Sequence, residues 1–189
     1  MQVKTYAAAV FGIDAMIITV EVDASKGIKF FLVGLPDNAV KESQQRIEAA
    51  LRENEYRWPG KKIIVNMAPA DVRKEGSSFD LTLAIGILAA SGQIEAPTLD
   101  EYLIMGELSL DGTVKRINGA LPIAIEARKK GFKGIILPEE NAHEAAVVDN
   151  LEVYGVNNIK QVIDFFHHNI PLEQTIVDTI AKFYSSINN

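Results

Sequence analysis

The 189-residue chain contains no cysteine. That absence excludes a disulfide framework, a Cys-ligated zinc site, an iron–sulfur cluster and a thiol nucleophile. Long apolar runs are also missing. The longest, Leu81 to Ala90, is about half of the roughly 20 residues a bilayer-spanning helix needs. A signal-like core at Tyr6 to Phe11 is cut short by Gly12 and Asp14, and only Lys4 precedes it; it reads as a buried first strand. No excess of positive charge exists either: 19 Lys and Arg against 25 Asp and Glu leave a net charge of −6, which excludes a polybasic nucleic-acid arm. What is present is an ordinary globular balance, 48% hydrophobic and 23% charged, enough apolar surface for a core. These features point to a cytoplasmic protein without a membrane partner.

Nucleotide-binding loops are absent as well. The Gly60-Lys61 pair is followed by Lys62, where a phosphate loop requires Ser or Thr, and Glu55 stands where the leading Gly belongs. No G-x-G-x-x-G follows a strand. A zinc-protease pattern fails at His143-Glu144-Ala145-Ala146-Val147, because Val147 replaces the second ligand. His167 and His168 are neighbours in sequence and should point apart on a helix, so no metal site is expected.

Periodicity predicts a mixed α/β chain. Met16, Ile18, Val20 and Val22 alternate with Thr19, Glu21 and Asp23, a strand with one wet face; Ile28 to Val33 reads as its hairpin partner. Gly34-Leu35-Pro36-Asp37 starts a helix running to about Asn54. On it, Lys41, Arg46 and Arg52, with Arg57, Lys61 and Lys62 beyond, are interleaved with Glu42, Glu48, Glu53 and Glu55 and read as a solvated face. Lys62 to Met67 is a strand. Ser77-Ser78-Phe79-Asp80 has the spacing of a capping box opening the buried helix Leu81–Ala90. Tyr102–Leu108 and Val114–Ile117 flank Asp111-Gly112 as a hairpin, and three further helices alternate with two strands up to Phe166. Residues 1–166 thus form one domain, and 167–189 read as a linker or tail.

The most suggestive chemistry is Arg73-Lys74-Glu75-Gly76-Ser77-Ser78, a polar loop that delivers a serine to a helix start. A nucleophilic serine needs a base; Lys74 is the neighbouring candidate for Ser78. Capping is the commoner role for serine here. Asp37 and Asp71 read as caps or loop braces.

Several blocks occur together and in order: Val33-Gly34-Leu35-Pro36-Asp37 with Ala39-Val40-Lys41-Glu42-Ser43, Val65-Asn66-Met67-Ala68-Pro69-Ala70-Asp71 with Lys74-Glu75-Gly76, Phe79-Asp80-Leu81, and Gly106 to Gly112. Gly119-x-Leu121-Pro122 and Pro138-x-x-Asn141-Ala142 continue them. The chain resembles the N-terminal domain of the ComM/YifB proteins, magnesium-chelatase-like AAA+ ATPases, over residues 1–166. The resemblance implies the ribosomal protein S5 domain 2-like α/β fold of the Lon proteolytic domain. It also implies a parent that processes DNA by branch migration during natural transformation. ATP and Mg²⁺ would belong to an AAA+ module absent from these residues, whose ring subunits, forming a hexamer, would be the partners, with DNA reached through that parent. In Lon the nucleophile pairs with a lysine. By resemblance Ser78 holds the nucleophile position, while the lysine position falls on Leu121, which cannot accept a proton. The expectation is a non-catalytic module with no catalytic, cofactor or metal residue of its own. The alternatives are a Ser peptidase using Ser78 with Lys74 as a displaced base, or a stand-alone nucleic-acid- or protein-binding domain.

Overall fold

The computed structural model of the chain describes residues 1–178 and Ile187. Its centre is a seven-stranded sheet in the order β3-β4-β2-β1-β5-β8-β9. β1 (Gln2–Phe11) and β2 (Asp14–Ser25) form a long antiparallel hairpin, and β4 (Lys62–Ala68) pairs antiparallel with β2. β3 (Phe30–Val33) runs parallel to β4; β5 (Tyr102–Ile104), β8 (Gly134–Pro138) and β9 (Glu152–Val156) extend the other half in parallel from β1. A separate two-stranded ribbon, β6 (Glu107–Leu108) with β7 (Val114–Lys115), stands off the sheet.

Helices cover both faces. α3 (Asp80–Ala90) is buried along its whole length, as its all-round apolar sequence predicts. It lies on the face carrying Thr5 and Val22; a methyl on Gly86 would meet Val22 Cγ2 at 2.9 Å. α2 (Ser43–Glu53) and α6 (Ile159–His167) pack against α3. α4 (Ala120–Lys129) covers the opposite face of β1 and β2, and α5 (Glu139–Ala145) packs beside it against β8 and β9. The mixed α/β expectation therefore holds.

Three expectations need correction. Ile28–Val33 is not the hairpin partner of β2, because β4 lies between them. Alternation shows that a segment is a strand but not what it pairs with. Tyr102–Leu108 is not one hairpin arm either: its first half is the buried strand β5, inside the sheet between β1 and β8, and only Glu107–Leu108 pairs with β7. The first helix divides into α1 (Asn38–Lys41) and α2 at Glu42. Beyond α6, Gln174 bridges to Tyr154 and the Thr175 N–H donates to the Val153 carbonyl at 2.8 Å, covering part of the β9 edge. The remainder of the expected tail, 179–189 apart from Ile187, lies outside the described residues.

Candidate functional site: a clasped loop and its cleft

Two of the sequence blocks are halves of one clasp. Pro36 and Lys74 form a parallel bridge: the Asp37 N–H donates to the Lys74 carbonyl at 2.9 Å, and the Lys74 N–H donates to the Leu35 carbonyl at 3.0 Å. The Asp37 carboxylate divides its oxygens. One caps α1 by accepting the Val40 N–H at 2.8 Å; the other accepts the Gly76 N–H at 3.1 Å. Asp37 is thus both a cap and a brace. Gly34 is required by space and by backbone: its φ is +110°, and a Cβ there would sit 2.2 Å from the Met67 carbonyl oxygen.

Lys74 closes the clasp from inside. Its side chain is fully buried, and its Nζ donates to the carbonyls of Gly34, at 2.7 Å, and Pro69. Burial lowers its pKa below the ordinary lysine value, opposed by the nearby Asp71 carboxylate.

Asp80 fastens the next segment. It accepts two hydrogen bonds from Arg46, Nε at 2.7 Å and a terminal nitrogen at 2.9 Å, and a third from the Leu108 N–H at 3.0 Å. Burial pushes its pKa up, against the downward pull of Arg46 and Leu108; Arg46 is raised, mainly by its hydrogen bond to Asp80. This overturns two expectations. No capping box forms, since Phe79 occupies the N-cap position without a side-chain bond and Asp80 turns inward to Arg46. Arg46 leaves the solvated face, and its contact with Glu42 is a distant 3.8 Å.

Between these fasteners lies an open cleft of about 530 Å³, lined by Ala8 to Phe11 of β1, by Asp37, Arg73, Glu75, Gly76, Ser78 and Phe79, and by Met105 and Asn118. Ser78 is half-buried and its backbone is pinned: its carbonyl accepts the Gly106 N–H at 2.9 Å, and the Gly106 carbonyl accepts the Leu81 N–H at 3.0 Å. Gly106 has no room for a side chain, because a Cβ would meet Val114 at 2.7 Å. On the cleft's other wall, buried Asn141 of α5 grips Ile117, accepting its N–H at 2.9 Å and donating to its carbonyl at 3.0 Å, and so sets the position of Asn118. Asn141 and Arg46 belong to this support; the sequence placed Arg46 on a solvated face and Asn141 only in a block of the resemblance, because pairing partners so far along the chain leave no local signal.

The structure does not bring the sequence-predicted chemical residues together. Ser78 lines the cleft, whereas Lys74 does not, and no hydrogen bond joins the two. Leu121 sits in the first turn of α4, its N–H donating to Glu144 Oε1 at 3.3 Å. The histidine pair does not splay apart as expected. The ring centroids of His167 and His168 lie 4.5 Å apart because His168 is already past the end of α6, and His167 Nδ1 accepts the Glu95 N–H at 2.9 Å. Among the described residues no group of three or more side chains could hold a metal ion. Gly60-Lys61 precedes strand β4 rather than a helix, so its loop offers no helix N-terminus to a phosphate. No helix among the described residues is long and apolar enough to cross a membrane.

Comparison with known proteins decides the relationship. The family profile described as subunit ChlI of Mg-chelatase matches residues 20–141, which include the second half of β2, the clasp, α3 and the cleft loop at Asn118. The chain belongs to the ChlI Mg-chelatase family. It is similar to the competence protein ComM of Haemophilus influenzae, 40% identical over 186 residues, covering 97% of this chain and 36% of that protein. It is also similar to the uncharacterized protein YifB of Escherichia coli, 41% identical over 167 residues, covering 88% of this chain and 33% of the relative. Lon protease 2 of Bacillus subtilis is 33% identical over 107 residues, 56% of this chain and 19% of that enzyme. The ChlI-family chain therefore spans about a third of the length of the ComM and YifB relatives it matches.

Proposed function

We propose that this chain is a non-catalytic module of a ComM/YifB-type, magnesium-chelatase-like AAA+ ATPase. On this reading the parent is a cytoplasmic DNA-processing enzyme of the branch-migration class, active in natural transformation. The module packs on its own AAA+ ring, a hexamer, and its cleft receives a partner without cutting it. ATP and Mg²⁺ are held by the AAA+ module, and DNA is reached through the parent. One observation carries the loss of chemistry: among the described residues, no side chain that could act as a base is hydrogen-bonded to the serine of the cleft. Lys74 spends its protons on the Gly34 and Pro69 carbonyls, and Leu121 stands where the Lon resemblance calls for lysine. A serine hydroxyl without a proton acceptor is a weak nucleophile at neutral pH.

The test is turnover by the purified 189-residue chain. Fluorogenic peptides, unfolded casein and Mg²⁺–ATP should each give rates equal to buffer blanks, unchanged by Ser78→Ala. Peptide cleavage that Ser78→Ala abolishes would make this a serine peptidase and overturn the reading; ATP turnover by this chain would do the same.

A further inference from the structure

The two edges of the central sheet are treated differently. The β9 edge is bridged by Gln174 and Thr175. The β3 edge has no strand beyond it among the described residues. Because the Ile63 N–H donates to the Lys29 carbonyl, the alternation of a parallel ladder turns the N–H and C=O groups of Phe30 and Leu32 outward. Edges are commonly blunted by lysine, proline or a bulge on the strand itself. β3 reads Phe-Phe-Leu-Val and has none of these. Its side chains on the open face, Phe31 and Val33, are 45% and 49% exposed.

Charge surrounds one end of this strand. Lys26 and Lys29 come from the β2–β3 turn, and Lys61 and Lys62 from the start of β4; Gly27 places that turn directly on the Lys62 side chain. None of these four lysines has a carboxylate within 4 Å among the described residues, although the chain as a whole carries −6. The Lys62 ammonium stands 5.6 Å from the centre of the Phe31 ring.

We propose that the β3 edge is a docking site for an extended polypeptide segment of a partner protein, which adds to the sheet as an eighth strand. The segment is amphipathic in a defined way. Its backbone pairs with Phe30 and Leu32, alternate apolar side chains lie beside Phe31 and Val33, and a block of Asp or Glu meets the lysines at the β3 N-terminal end. A second copy of the chain fits less well, because β3 offers no carboxylate and the ammonium groups would stay unanswered. This surface is separate from the Ser78 cleft, and the proposal stands or falls independently of the function assigned above.

The experiment uses two fluorescein-labelled octapeptides, Asp-Asp-Glu-Val-Thr-Val-Thr-Val and its reversed sequence, titrated with the chain and followed by anisotropy. One orientation should saturate, weaken as salt is raised, and lose about tenfold or more in affinity with the Lys29→Glu/Lys62→Glu variant. N-methylation of alternate peptide nitrogens should abolish binding when it blocks the groups facing β3; this arm leaves the protein untouched, so it decides the matter even where the variant folds poorly. Absence of saturable binding by either peptide overturns the proposal, as does equal binding of the N-methylated peptide. Displacement of the peptide by a 20-residue oligothymidylate would assign the patch to nucleic acid instead. A concentration-dependent dimer that excludes the peptide and is lost in the variant would assign it to a second copy.

Discussion

Removing the Asp80 carboxylate tests the physical account of the site most directly. Asp80→Ala deletes three hydrogen bonds at once, two from Arg46 and one from the Leu108 N–H. It also leaves a guanidinium whose side chain is only 19% exposed without its partner. Breaking one side of a buried ion pair costs roughly 3–5 kcal/mol. Arg46 retains its bond to the Ala39 carbonyl and some access to water, which places the expected loss at the lower end, about 3 kcal/mol. For a domain of this size that is a fall in Tm of roughly 6–12 °C. The raised pKa of Asp80 adds a second, opposing expectation. Burial already costs the ionised pair much of its attraction, so a matched apolar replacement, Arg46→Met with Asp80→Leu, should recover most of what either single change loses. The assay is urea and thermal unfolding of Asp80→Ala, of the single variants Arg46→Met and Asp80→Leu and of the double, followed by circular dichroism. A loss below about 1 kcal/mol for Asp80→Ala, the level of an exposed pair, would refute the reasoning. Strictly additive losses in the double variant would refute it as well.

Gly34→Ala should destabilise by about 3 kcal/mol or more, since it combines a positive φ with a methyl 2.2 Å from the Met67 oxygen; an unchanged urea midpoint would mean that the clasp is not rigid. Tyr154 is pushed up to about 12 by burial and by the Glu152 carboxylate. The folded chain therefore holds this proton after the unfolded chain has released it, so Tyr154 costs stability as pH rises from about 10 to 12. Tyr154→Phe should lose less stability over that interval than the parent chain, and parallel stability–pH curves would exclude the effect.

Much of the fold was legible because it is local. The alternation of β2, the all-round apolar run of α3 and the Gly131 stop after α4, with its φ of +81°, follow from period, burial and backbone freedom. The site was legible only in outline. The blocks around Gly34-Leu35-Pro36-Asp37 and Lys74-Glu75-Gly76 stood out as motifs, but their meaning as one clasp depends on the bridge between Pro36 and Lys74. The reading of Ser77 and Asp80 as a capping box failed because an acid three residues after a hydroxyl is only a local opportunity. Arg46, 34 positions away, offered Asp80 a bidentate partner, and the buried carboxylate took the stronger bond.

What the chain determined by its own order of residues is therefore its class, most of its strand and helix segments and its lack of a phosphate loop or thiol chemistry. Each is a property of composition or of spacings within one element. Tertiary structure decided which strands are neighbours: β4 displaced β3 from the side of β2, and β5 took a place inside the sheet between β1 and β8. It also decided what the charged groups do. A lysine four residues from a serine could be its base or a brace. In the fold the buried Lys74 ammonium donates to two backbone carbonyls, because an ammonium inside a fold takes the acceptors that replace its lost water.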